Sequence, residues 1–143
     1  MSKINTARVI AGGLIAGVVA NLLDYVWYAV LMDADMEIMI QRLGLNRAVV
    51  ESSTLAITWM AVDLVYGVLL VWTYAAIRPR CGPGPWTAVY AALIPFAAVT
   101  MFMYGYSAMG IFTTNAFIKG TAFFLVTSIA AALAGASLYR EEN

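Results

Sequence analysis

At 143 residues the chain has room for a single domain, and 63% of it is hydrophobic against only 11% charged. A soluble domain is typically about half apolar and about a quarter charged, so this balance points to a lipid bilayer. Eight basic and eight acidic residues cancel, with no polybasic stripe to meet nucleic acid; the absence of histidine excludes imidazole metal sites, histidine-ligated haem and imidazole general bases, and the lone Cys81 cannot close an internal disulfide.

A helix needs about 20 mostly apolar residues to cross the hydrocarbon core. Residues 9–32, between Arg8 and Asp33, carry one charge, Asp24, and predict a first span over about 7–32. Basic residues precede this run as in a signal peptide. The run is too long for one and no small-x-small site follows it, so it reads as an uncleaved anchor. Beyond it, Met36, Met39, Ile40 and Leu43 recur at i, i+3, i+4 and i+7, on one helical face. Asp33 is a candidate N-cap, Asp35 and Glu37 favour the positive helix end, and Gly44 is a natural stop. A short amphipathic interfacial helix over about 34–43 follows, read as a spacer ahead of a lid or docking element.

Residues 52–77 again hold one charge, Asp63, and predict a second span over about 53–77. In "RPRCGPGPW" Pro79 should push Arg78 out of helical geometry and end that span. The Gly-Pro-Gly-Pro run should keep the chain non-helical until Pro85, with Arg78 and Arg80 reaching lipid phosphates and Trp86 at headgroup depth. From Cys81 to Ile118 no residue is charged. That stretch is too long for one span and divides into a third span over about 86–107, a turn near Met109–Thr114, and the start of a fourth over about 115–139. Pro95 should kink the third span and is the candidate hinge.

With four spans the N-terminus, the loop after span two and the C-terminus share a side that holds Lys3, Arg8, Arg78, Arg80 and Arg140, five of the eight basic residues. The positive-inside rule then puts both termini in the cytoplasm. Gly13, Gly17, Asn21, Asp24 and Tyr28 fall near one stripe of span one, and Asp63, Gly67, Leu70 and Tyr74 repeat the arrangement in span two. Span four offers Gly120, Ser128, Ala132 and Gly135. Glycines Gly13, Gly17, Gly67, Gly120 and Gly135 are thus the expected helix-packing positions of a compact bundle.

Asp24 lies eight residues before Met32 and Asp63 ten after Ser53. At about 1.5 Å per residue these are depths of about 12 Å and about 15 Å from one surface, so the carboxylates are expected at one level. An aspartate at mid-membrane costs about 2.5–3.5 kcal/mol on insertion scales, so neither should face lipid. Lys119, near the start of span four, is a candidate counter-charge. Three readings follow for Asp24, Asp63, Lys119 and Asn21. A polar knot that fixes helix register comes first, a site for protons, ions or a cationic ligand second, and a catalytic dyad last.

The segment "YAAIRPRCGPGPWTA", Tyr74 to Ala88, resembles the inner loop of a family of small bacterial four-helix membrane proteins, with Cys81 and Trp86 at its variable places. The likeness extends more loosely to "AGGLIAGVVANLLD" and "LAGASLYRE". It implies a bacterial inner-membrane location and the same topology, and it brings no activity. The expectation is therefore an all-α membrane protein of one domain, residues 1–143, with four transmembrane helices in a compact bundle and an interfacial helix between helices one and two. No cofactor, metal site or nucleophile–base pair is expected. The leading function is a non-enzymatic accessory subunit or small homo-oligomer, with the bilayer and a larger membrane complex as partners. A small proton- or ion-linked carrier using Asp24 and Asp63 is the alternative.

Overall fold

The computed structural model of the protein describes residues 4–141; Lys3, counted above for orientation, lies outside them. Among the described residues there are helices and turns but no strand. Helix α1 (Thr6–Val26) runs into a π-helical turn (Trp27–Leu31), followed by α2 (Asp33–Leu43), α3 (Arg47–Val50), α4 (Ser53–Cys81), α5 (Pro85–Ala108) and α6 (Thr114–Ala136). Four helices, Thr6–Leu31, Ser53–Cys81, Pro85–Ala108 and Thr114–Ala136, are long and apolar enough to cross a membrane. The shortest, α6, has 23 residues. At a rise of about 1.5 Å per residue it covers about 35 Å, more than the hydrocarbon thickness of about 30 Å.

Side-chain oxygens open three of the long helices. Asn5 accepts from the Arg8 amide at 3.0 Å, Ser52 from Leu55 at 3.2 Å and Thr113 from Ala116 at 3.0 Å. Pro85 starts α5, where its missing amide proton costs nothing. Helix α2 begins at Asp33 itself, so the cap position falls to Met32, which offers no side-chain oxygen; Asp33 is not the N-cap that its sequence position suggested. Gly44, at φ 60°, ends the helix in the left-handed region. The short α3 went unrecognised in the sequence and is capped by Asn46.

The second long helix does not end at Arg78. It passes through Pro79 to Cys81. A proline forfeits one ladder bond, and in the last turn few others depend on it. The Gly82 amide closes the helix on the Arg78 carbonyl at 2.8 Å, with Gly82 at φ 80°. Thr87 then donates its hydroxyl to the Gly82 carbonyl at 2.7 Å, and the Gly84 amide donates to the Tyr74 hydroxyl at 3.3 Å. Helix α5 is continuous through Pro95, which is buried.

Helix α1 packs against α4 and α6, α5 packs against the same two, and α4 meets α6 across the middle. The contacts are made by small residues. A Cβ at Gly13 would lie 2.5 Å from Val68 Cα, and one at Gly17 would lie 2.6 Å from Leu64 Cα. One at Gly67 would strike the Gly13 carbonyl oxygen and the Gly17 amide. On the opposite side of α1, a Cβ at Gly12 would lie 2.6 Å from the Gly135 carbonyl oxygen. Ala16, Ala20, Ala75, Ala88, Ala91, Ala92, Ala131 and Ala132 share the rest of the interior with Val9, Leu70 and Val71. Many large apolar side chains point the other way: Leu22, Val65, Phe102 and Val126 are all more than half exposed. Small inside and large apolar outside is the arrangement of helices that associate within lipid, where burying leucine brings no hydrophobic gain. It fits a multi-pass membrane protein.

Gly120 departs from this pattern. A Cβ there would meet only the Trp27 ring, at an ordinary 3.8 Å, so it is not a close-approach position. We predict that Gly67→Ala lowers the stability of the detergent-solubilised protein by about 1–3 kcal/mol, because two backbones must separate. Gly105→Ala, in open space within α5, should be neutral or stabilising by up to about 1 kcal/mol. Thermal melting of both variants tests the contrast; equal effects would mean that the glycine contacts do not set the helix spacing.

Candidate functional site

The α1–α4 register positions the two carboxylates. Asn21 Nδ2 reaches the Met60 carbonyl at 3.2 Å, and a Cβ at Gly17 would lie 2.9 Å from the Asp63 carbonyl oxygen. Asp63 therefore sits beside Gly17, seven residues before Asp24. At about 1.5 Å per residue the two backbones are staggered by about 10 Å and do not share a level as expected. Helix polarity closes much of that gap. Side chains lean toward the N-terminus of their own helix, and α1 and α4 are antiparallel, so Asp24 and Asp63 lean toward each other.

Both carboxylates line one cavity of about 390 Å³ between the four long helices. Asp24 Oδ1 accepts from the Thr127 hydroxyl on α6 at 3.4 Å. The Asp63 carboxylate makes no hydrogen bond to another described residue. Among the described residues no lysine or arginine lines the cavity. Its walls are aromatic: Trp27 from the π-helical turn, Trp59 and Tyr66 from α4, and Phe117 and Phe124 from α6. These rings are held from behind. Trp27 stacks on Phe123 at 4.8 Å, Phe124 lies between Tyr66 at 5.4 Å and Phe96 at 5.7 Å, and the Tyr66 hydroxyl is 2.8 Å from Ser128 Oγ. On the α5 wall the Thr100 hydroxyl is shielded from solvent and has no partner among the described residues. Trp59, Val62 and Met103 line the cavity yet stay more than a third exposed, and mark its mouth between α4 and α5.

The π-helical turn shapes this site. The Met32 amide bonds the Trp27 carbonyl at 3.1 Å, five residues back. The register therefore slips relative to a regular helix, as often happens at functional sites. Trp27 and Met32 face the cavity, while Tyr28, expected on the Asp24 stripe, turns out toward Met36 and Ile40 of α2.

Three assigned roles change. Lys119 is not the counter-charge of Asp24 or Asp63; its ammonium donates to Asp35 of α2 at 3.0 Å and ties α2 to α6. Asn21 does not line the cavity, and its amide nitrogen donates to the Gly17 and Met60 carbonyls. Arg78 does not extend to a surface. It pairs with Glu141 at 2.8 Å and lies over the Tyr139 ring at 5.6 Å. Arg80 and Trp86 are exposed. At the other end, Arg47 bridges Glu37 and Glu51, and hydrogen bonds from Gln41 and then Arg47 hold the exposed Glu37 carboxyl below the usual carboxylate range. The aromatic wall and Thr127 were missed in the sequence, since aromatic residues are as common on lipid-facing positions; the i, i+4 spacing of Asp63 and Trp59 is the one available signal.

The chain matches no family model, no curated protein and no solved structure.

Asp35 is 6% exposed and its partner ammonium is the charge that offsets its burial. We predict that Lys119→Met lowers stability by about 1–2 kcal/mol by leaving that carboxylate unpaired, and that adding Asp35→Asn recovers part of the loss. A double-mutant cycle measured by thermal melting reads the coupling directly, and simple additivity would rule the tie out.

Proposed function

We propose that this protein is a small integral membrane binding and permeation unit whose ligand or ion is held by Asp24 and Asp63. The observation that carries the reading is a cavity of about 390 Å³ that contains both carboxylates and, among the described residues, no cationic side chain. Cavities of roughly 300–1,000 Å³ are the usual size of small-molecule sites. Intramembrane carboxylates commonly mark ion and substrate pathways.

An accessory subunit acting through helix packing is the less supported reading. The glycine faces it would offer a partner are used within the chain, where Gly13 and Gly17 meet α4 and Gly12 meets Gly135. In our reading the four long helices form a compact bundle across a bacterial inner membrane. Both termini are cytoplasmic, in keeping with the excess of basic residues on their side, and α2 lies in the opposite interface. The likeness of Tyr74–Ala88 to the loop of small bacterial four-helix proteins supports that location. Pro95, buried in α5 beside the cavity level, is the hinge of this reading, and pairing of two copies would enlarge the enclosed space.

Carboxylates placed for a ligand are not optimised for stability, so neutral replacements relieve the unliganded fold. Asp24→Asn and Asp63→Asn should each melt no lower than wild type in detergent, and the wild-type dependence on pH between about 5 and about 9 should diminish in both. Clear destabilisation in both variants would instead assign the carboxylates to holding the helices in register.

A further inference from the structure

We propose that the ligand is an organic cation with an apolar body, a lipophilic ammonium ion, bound with its charge on Asp63 and its body against the aromatic wall. This rests on the reading above and narrows it to a substrate class.

Charge comes first. Asp24 already accepts from Thr127, whereas Asp63 has no hydrogen-bond partner among the described residues, so Asp63 is the primary contact. The wall selects for the rest. An aromatic face attracts a cation within about 6 Å of its centroid, and quaternary ammonium groups are recognised in this way. Trp27, Trp59, Tyr66, Phe117 and Phe124 supply such faces around the carboxylates. Trp27 is already stacked on Phe123, and Phe124 is packed at a tilt between Tyr66 and Phe96, so little ordering of these rings is left for the ligand to impose.

Size and access argue against a bare inorganic ion. A hard cation such as calcium takes about 6–8 oxygen ligands at about 2.3–2.6 Å. Among the described residues no three acidic or thiol side chains come together to begin such a shell. The cavity is far larger than one dehydrated ion requires. Its mouth lies between α4 and α5, at Trp59, Val62 and Met103, on the apolar flank of the molecule. A ligand with an apolar body can approach from that flank, and a hydrated metal ion cannot cross hydrocarbon to do so.

The test uses the full chain in detergent, calorimetric titration and quenching of tryptophan fluorescence, since Trp27 and Trp59 face the cavity. The probes are benzyltrimethylammonium, tetramethylammonium and benzenesulfonate. We expect benzyltrimethylammonium to bind, to bind more tightly as pH rises and the carboxylates lose protons, and to outcompete tetramethylammonium; benzenesulfonate should not bind. Asp63→Asn should weaken binding by about tenfold or more, with Asp63→Glu recovering most of it, and Trp59→Leu should weaken it by about threefold to about tenfold. Asp63→Glu keeps the result readable should Asp63→Asn fail to fold. Equal affinity for tetramethylammonium, or tight binding of benzenesulfonate, would overturn the proposed class. No binding of the benzyl cation, with the Asp→Asn variants still removing the pH dependence of melting, would overturn the class while leaving Asp24 and Asp63 as a proton or ion site. No binding together with unchanged pH dependence would overturn both.

Discussion

The contact on which the rest of this molecule depends is the bare approach of α1 to α4 and α6. Where Gly13 and Gly17 meet Gly67, and Gly12 meets Gly135, a single added methyl group has nowhere to go. Dispersion between closely packed backbones replaces the hydrophobic gain that lipid surroundings do not provide. These contacts lie in the half of the helices nearer the termini. Toward the far end the facing residues change from glycine and alanine to Trp27, Trp59, Tyr66, Phe117 and Phe124, and backbones carrying such rings cannot approach as closely. The cavity follows from that change in side-chain size. It needs no separate device.

The terminal end is closed by polar and aromatic ties. The Asn5 amide donates to the Tyr139 hydroxyl at 3.3 Å, Tyr139 meets Tyr74 edge-on at 5.9 Å, and Arg78 joins Glu141. Tyr74 also holds the α4–α5 turn through Gly84. One short set of side chains thus gathers both ends of the described chain and the proline-rich turn. At the far end Lys119 joins Asp35, Tyr104 meets Phe117 at 5.9 Å and Tyr106 meets Phe112 edge-on at 6.4 Å, beside the exposed pairs of Arg47. Exposed pairs contribute little.

The spans were legible because runs of more than 20 residues with at most one charge, such as 9–32 around Asp24 and 52–77 around Asp63, are the mark of a membrane-crossing helix. The glycine stripe was legible at Gly13, Gly17, Gly67 and Gly135 because helical spacing alone puts them on packing faces. Gly120 has the same spacing and a different fate, because Trp27 stands across from it. What was not legible depends on tertiary partners. Arg78 pairs as it does because Tyr139 and Glu141 arrive beside it, and Lys119 turns to Asp35 because the fold brings that residue of α2 within reach. The π-helical turn leaves no mark in composition, yet it decides that Trp27 and not Tyr28 faces the carboxylates. Pro79 misled because the bias of a residue before proline away from helical geometry is a tendency only, and Arg78 stays helical in a last turn where Thr87 and Tyr74 secure the bend that follows.

Two polar residues less than a turn apart on α1 show what this fold does with polarity when structure is the purpose. Asn21 is satisfied locally: its amide bridges the Gly17 and Met60 carbonyls and joins two helices with no formal charge. Asp24, three residues on, receives one long hydrogen bond, and Asp63, beside the closest glycine contact, receives none among the described residues. The cost of an acid in an apolar setting is several-fold that of an amide. The α1–α4 seam already has an amide solution to its register. The carboxylates of Asp24 and Asp63 lean from opposite directions into the same aromatic-lined cavity, where the described residues give Asp24 one hydrogen bond and Asp63 none.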